Sequence, residues 1–588
     1  MRVLHDALRP PDGHDLEHLL VTTFTLDLVS LLSVPLAFAW FGGSGDDEAV
    51  DHDPLELLAA VERQSGKITV FHQAGAIGVP DRHRQLLTLV EDALVAVPVP
   101  RRGGLFHPKL WIAAYVDGAG KRRYRLLCLS RNLTADRSWD TILCLEGVPT
   151  RSARRECKPL VDFVTWLARM PRLSKNRAAQ VRRLGRELSS VKFEPPLPFS
   201  QVQFRPLGVR GYRLDPVASA RRDNLLIVSP FVGAGQLAAL CAGVEDVTLV
   251  TRPEELARLD GSLPANVGRS LRLDDALEPE PDDSIDTTAW LAGLHAKAYI
   301  ADQGWNATLW TGSANATGAA FQRNVEFLVE LTGKKSACGI QSVLGDGSAG
   351  TFSSMLVPCD AVFSEPEDDA LEQQLDALAR EIAELPLEVR SVENDAGWSL
   401  QLALGGSATI RSGARVDLAP LASTRGPQRL DLASAALPCF LGLKAQEVSG
   451  LFVVDVQLDA HPEASRHFVA AWPLVGTIPD RVHALILELA SDPERMFAFI
   501  RMFLAGGESS VPLGTVGDGE GGAGEWGAAA GAPPLLELLV RALAREPQRL
   551  DELARWLPDL AAAAGDGPGT DLLRIWEPIW KAREELAR

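Results

Sequence analysis

Several absences narrow this chain before any motif is read. Only seven of its 588 residues are cysteine (positions 128, 144, 157, 241, 338, 359 and 439). The number is odd, the positions are scattered, and none has Cys-x-x-Cys spacing, which fits a reducing cytoplasm and gives no zinc ribbon. No Gly-x-x-x-x-Gly-Lys-Ser/Thr occurs, so the chain has no phosphate loop with which to be its own ATP-driven motor. The opening MRVLHDALRPPDGHDLEHLL holds no short apolar core with a cleavage site, and secretion is not expected. The apolar run 19–41 has the length of a membrane span, but Asp27 interrupts its middle and Pro35 its second half. A buried strand over 20–24 and a following helix are expected instead. Excess positive charge is lacking too. A formal charge of −18 argues against coating nucleic acid or an anionic membrane through the overall field, so any polyanion must meet a local patch. His14-Asp-Leu-Glu17-His18 has the His-x-x-Glu-His spacing of some zinc proteases, but no second cluster points to it. An exposed first helix is expected there, with no metal site and no cofactor.

The length and 46% hydrophobic content, with mean hydropathy near zero, describe three or four globular domains. One constellation occurs twice. In Gly293-Leu-His295-Ala-Lys297, His295 and Lys297 are two residues apart in an apolar run, so on a strand they share a face. Asp302, a second apolar run, Gly312-Ser313-Ala314-Asn315 and Glu326 follow. Upstream, His107-Pro-Lys109 precedes the apolar run 126–129 and Ser130-Arg131-Asn132. Asp140 stands where the second copy has Glu326 and is expected to orient its own copy's histidine. Around each copy, strands and helices alternate in the same order, which predicts two α/β lobes, each a mostly parallel sheet flanked by helices, related by a pseudo-twofold with both motifs at a shared cleft.

Between the copies, 151–192 is strongly basic, with Arg154, Arg155, Arg182 and Arg183 prominent. Its functional reading is a phosphate-tracking surface beside the cleft; its structural reading is a pair of amphipathic helices with solvated charges. The domains expected are lobe one (1–150), a basic helical connector (151–195), lobe two (196–363), an accessory helix with a β-rich domain (364–510), a Gly-rich linker (511–533) and C-terminal helices (534–588). An acidic loop over 45–53 and helices near 481–490 and 493–504 are also expected.

His-x-Lys, four residues, Asp, then Gly-Ser-x-Asn and a later Glu is the pattern of the phospholipase D superfamily, and 293–326 resembles a complete copy. The first copy has Ala114 in place of Asp and Ser130-Arg131-Asn132 in place of Gly-Ser-x-Asn, a reduced set similar to the tyrosyl-DNA phosphodiesterase branch. The resemblance implies His107 as nucleophile, His295 as general acid, and Lys109, Lys297, Asn132, Asn315 and Glu326 as further catalytic residues, with Ser130, Ser313, Asp140 and Asp302 in support. The bottom-up chemistry agrees: cleaving a phosphodiester needs a nucleophile, an in-line acid and donors for the phosphoryl oxygens, and no metal is then required. Asp302 and Glu326 are expected to hold His295 protonated. The expected function is a metal-independent nuclease in the cytoplasm that uses a phosphohistidine, with DNA the expected substrate. Analogy with superfamily members suggests phage defence or restriction, with a helicase or ATPase recruited by the C-terminal region. Alternatives are a phospholipid-cleaving enzyme, disfavoured by the acidic charge and missing anchor, and a non-catalytic binding subunit.

Overall fold

A computed structural model describes residues 7–41, 61–259, 262–274, 292–359, 370–476, 535–545 and 568–586, except isolated positions at 82–83, 100, 102, 135–136, 396, 411–412 and 435–436, and adds the scattered residues 4, 478, 481, 484–485, 550, 553–554 and 557. The acidic loop 45–53, the Gly-rich stretch 511–533 and the helix expected near 493–504 lie outside the described residues.

The first sheet uses β1 (His14–Thr23), β2 (Ile68–Gln73), β3 (Leu94–Val97), β4 (Leu110–Asp117) and β5 (Arg122–Leu129). Then β6 (Arg137–Trp139) leaves it, and β7 (Ile142–Pro149) and β8 (Val191–Phe193) return, giving the order β3-β2-β1-β4-β5-β7-β8. The second sheet uses β9 (Phe199–Leu207), β10 (Asn224–Val228), β11 (Asp246–Val250) and β12 (Val267–Leu273). After β13 (Ala292–Leu294), which pairs with β6, come β14 (Ala298–Gln303), β15 (Asn306–Gly312), β16 (Glu326–Lys334) and β17 (Leu356–Pro358), in the order β17-β12-β11-β10-β14-β15-β16-β9.

The expectation of mostly parallel sheets is corrected. Only β1, β2 and β3, and β10, β11 and β12, run parallel; both His-x-Lys strands, β4 and β14, start antiparallel meanders. The reason is connection length. Asp117 to Arg122 and Gln303 to Asn306 are hairpin turns, too short for the crossover that a parallel neighbour needs. The sheets share one core, in which Phe163 and Phe327 ring centroids lie 5.1 Å apart.

Asp27 explains the interrupted apolar run. Its carboxylate accepts from Val29 N at 3.0 Å and Ser30 N at 3.2 Å, capping helix Leu28–Phe41 just after β1 has ended. The expected helix over His14 to His18 is instead the start of β1. Neighbouring side chains there point to opposite faces: Glu17 pairs with Arg122 and Arg183, while His18 meets Thr69.

Helix Ala370–Ala383 precedes two four-stranded sheets within 387–475 that share a core with Ala74 and Ala96 of the first half. The C-terminal helices Leu535–Arg545 and Pro568–Leu586 place Leu538, Leu539, Trp576 and Ile579 in the core that also holds Leu31 and Val34.

Candidate active site

Each His-x-Lys lies immediately before its strand, at the edge where β1 and β10 end. The segments carrying the histidines reach across to the other half. Phe106 bridges Val325, and His107 N donates to Val325 O at 2.9 Å. In the counterpart, β13 pairs in parallel with β6, and His295 N donates to Trp139 O at 2.9 Å. Each histidine is thus tied to the residue preceding the other half's carboxylate.

The carboxylates therefore cross over. His107 Nδ1 lies 2.9 Å from Glu326 Oε2, and His295 Nδ1 lies 3.3 Å from Asp140 Oδ1. This corrects the expectation that Asp140 orients its own copy's histidine and that Glu326 serves His295. The surroundings match from half to half. Ser313 Oγ donates to Glu326 at 2.5 Å and Ser130 Oγ to Asp140 at 3.2 Å. Asn324 Nδ2 donates to Glu326 Oε1 and Ser138 Oγ to Asp140 Oδ2, both at 3.1 Å. Asn324 and Ser138 were not singled out from sequence; the available signal was a polar residue two positions before each carboxylate. Gly208 matters here, since its φ of +75° lets the chain pass where a Cβ would sit 2.1 Å from Asn324 O.

Lys109 and Lys297 are 1% and 0% exposed. Lys109 Nζ donates to His107 O at 3.0 Å, and Lys297 Nζ donates to His295 O at 2.7 Å and Ser130 O at 3.4 Å. Burying an ammonium is costly unless charge and hydrogen bonds compensate, and here each ammonium is turned to the carbonyl of its own histidine. Asn132 and Asn315 are held by paired contacts one residue on: Leu133 N donates to Thr23 Oγ1 at 3.0 Å, and Ala316 N to Ser229 Oγ at 2.9 Å. The Oδ1 atoms of both asparagines are buried without a hydrogen-bond partner among the described residues. Phe24 completes the first half's wall, its ring centroid 5.2 Å from that of His107.

Burial is the main influence that lowers the His107 pKa; Glu326 opposes it and Lys109 adds to it. His295 is pushed down to about 3, by burial first and Lys297 second, against Asp140. The expectation that Asp302 and Glu326 hold His295 protonated is therefore corrected: the carboxylate facing the ring is Asp140, and burial and the Lys297 ammonium disfavour its cationic form. For Asp140, burial pushes the carboxyl up, but the His295 hydrogen bond, Arg131 and Lys297 leave it below its usual value.

Asp302 is not in the site. It lies near the far end of β14, roughly 13 Å up the strand from Ala298 at the usual rise per residue, where it accepts from Ile340 N and faces Lys335 at 3.4 Å. The basic connector is also displaced. Arg183 pairs with Glu17 at 3.1 Å, and Glu17 lies where β1 begins, whereas the site is where β1 ends. Arg154 pairs with Glu156 at 2.7 Å, and its backbone N donates to Ser189 O beside β8, which pairs with the far end of β7. Arg155 and Arg182 are exposed next to these two. The expectation of a phosphate-tracking surface beside the cleft is corrected accordingly: helix Lys175–Leu188 buries Val181, Leu184 and Leu188 against the opposite end of the sheet.

No protein-family model matches the chain, and no curated protein does. Twenty-four chains of solved structures match. One is a yeast tyrosyl-DNA phosphodiesterase variant, 11% identical over 56% of this chain and 84% of that one, with a TM-score of 0.35. Another is polyphosphate kinase from Porphyromonas gingivalis, 15% identical over 57% of this chain and 42% of that one, TM-score 0.29. A third is phosphatidylserine synthase from Haemophilus influenzae, 13% identical over 56% and 79%, TM-score 0.29. All three belong to the phospholipase D superfamily that the two motifs resemble. TM-scores this low carry no argument about chemistry, which rests on the motif residues and their geometry.

Proposed function

We propose that the chain is a phosphodiesterase acting on nucleic acid, with DNA the expected form, through a phosphohistidine at His107, and that its two motif-bearing halves are lobes related by a pseudo-twofold axis passing between the histidines. The observation that carries the reading is the crossed pair: two partly buried His–carboxylate couples, each with a lysine two residues from the histidine and a serine on the carboxylate. The duplicated serine, lysine and asparagine contacts support the axis. The choice of nucleic acid rests on the reduced first motif, His107-Lys109-Asn132, and its likeness to the tyrosyl-DNA phosphodiesterase branch.

Glu326 accepts the His107 Nδ1 proton, leaving the Nε2 lone pair free for phosphorus. A P–N bond forms as the P–O bond to the leaving group breaks, and the leaving oxygen takes a proton from His295. Burial and Lys297 disfavour a charged His295 in the free site, and the negative charge of a bound phosphodiester favours its protonation. Water then attacks phosphorus, His295 takes the water's proton, and the P–N bond breaks to restore His107. Lys109, Lys297, Asn132 and Asn315 surround the phosphoryl oxygens as fixed donors.

The test is a panel of labelled linear, circular, single-stranded and protein-adducted DNA, with phosphatidylcholine, each incubated in EDTA. DNA cleavage that persists in EDTA is expected, with an acid-labile phosphoryl group mapping to His107 and accumulating in His295→Asn. Cleavage of phosphatidylcholine alone would replace the substrate. An adduct at His295 in the wild type would reverse the roles, and strict dependence on an added divalent ion would reject the mechanism.

A further inference from the structure

The two halves match around their carboxylates in the placing of serine, lysine and asparagine, but a formal charge distinguishes them at one place. Between the matched Ser130 and Asn132 stands Arg131; between the matched Ser313 and Asn315 stands Ala314. Arg131 Nε lies 3.6 Å from Asp140 Oδ2, and its guanidinium is steadied by a 2.7 Å hydrogen bond to Thr134 O. Glu326 is fully buried and, among the described residues, its one recorded ion pair is with His107.

We infer that Arg131 sets which histidine attacks and which donates a proton, by drawing charge from the carboxylate behind His295 while the carboxylate behind His107 has no arginine in the corresponding place. The inference rests on the phosphodiesterase reading above. A carboxylate shared with a guanidinium is a weaker hydrogen-bond acceptor for an imidazole. His107, backed by Glu326, is therefore the more electron-rich ring and the better nucleophile. His295, backed by Asp140, releases its proton more readily to a leaving oxygen. The other charged groups facing His295 are Lys297 beside it and Lys109 from the first half, and both lysines have counterparts around His107. Being shared by both rings, the lysines do not set them apart in charge, whereas Arg131 faces the carboxylate of one couple alone. It touches Asp140 rather than the reacting atoms, so it is a positioning residue.

The experiment compares the full chain with Arg131→Ala and Arg131→Lys, with Arg131→Gln as the substitute if the alanine variant does not fold. Imidazole signals of isotopically labelled histidine are followed by NMR from pH 2 to 8, a window that spans the lowered titration of His295, with His295→Gln to assign the His295 signal. Removing a nearby cation raises the affinity of His295 for a proton, so in Arg131→Ala its titration should move up by about half to one pH unit. The His107 signal should stay put, and Arg131→Lys should return His295 towards wild type. In single-turnover cleavage of a labelled oligonucleotide, the basic limb of the Arg131→Ala pH profile should move the same way, with phosphoryl adducts now found on both histidines. Superimposable His295 titrations in wild type and Arg131→Ala would overturn the inference, as would a rate loss uniform across pH with the adduct still confined to His107. If the NMR shift appears but the wild type cleaves no phosphodiester, the phosphodiesterase reading fails and the Arg131 coupling stands.

Discussion

Glu326 serves a histidine 219 residues earlier in the chain, and its two other hydrogen bonds come from Ser313 and Asn324 of its own half. That division of contacts gives the carboxylate a distinct kinetic signature. Glu326→Gln keeps the shape but loses the charge that fixes the His107 tautomer, so it should slow phosphohistidine formation by on the order of 10²-fold. Asp140→Asn should act mainly on the proton that His295 gives and recovers, slowing adduct hydrolysis by a comparable factor. Rapid-quench single turnovers separate the two steps, and identical effects of both variants on both steps would refute the crossed assignment. At this scale the sequence was partly legible. The spacing marked His107 with Lys109 and His295 with Lys297 as pairs, and the structure keeps each pair in contact through the lysine Nζ and the histidine O. The crossing was not legible, because which carboxylate meets which ring depends on the Phe106–Val325 and β13–β6 pairings, contacts between halves that no local pattern encodes.

Helix Lys175–Leu188 illustrates how an element can mislead when its charges are counted without its register. Its arginines suggest a polyanion track, yet Arg177 bonds to Thr69 Oγ1 at 3.3 Å and Arg183 to Glu17 at 3.1 Å, at the end of the first sheet away from the histidines. Replacing both Arg182 and Arg183 by Glu should therefore leave KM and its salt dependence unchanged. It should lower Tm by a few degrees, since Glu17 and Glu187 would face new negative charge. A flattened salt slope of binding would restore the sequence expectation. The same lesson holds for the sheets. The alternation of strand and helix was legible as far as β3 and β12, where apolar runs alternate with helical ones. The antiparallel halves were hidden behind two short turns, Asp117 to Arg122 and Gln303 to Asn306, whose length alone rules out a parallel return.

Across the whole molecule, buried imidazoles couple folding to pH. His18 and His72 are each 2% exposed and are held neutral by burial, pushed down to about 4 from 6.5. Between those values the unfolded chain binds more protons than the folded one, so stability is full above pH 6.5 and is lost as the pH falls towards 4. By pH 5 each imidazole should have removed about 2 kcal/mol. Urea unfolding at pH 7 and pH 5 measures this, and His72→Gln should make the difference smaller; equal stability at the two values would show that neither ring is held neutral. The C-terminal helices belong to this scale as well. Their amphipathic spacing was readable, but their partner was not, because Leu538, Leu539, Trp576 and Ile579 meet Leu31 and Val34 only after more than 500 residues of chain have been laid down.

The crossed couples also bear on what a partly made chain can do. When the first half has emerged, His107 has no carboxylate, because Glu326 is still to come. Asp140 is already in place, but the ring it serves has not been synthesised. Neither histidine is finished until the second half closes on the first. Cut between the halves, neither piece would carry a complete histidine–carboxylate couple, so the crossed arrangement exists only when both stretches of chain are present.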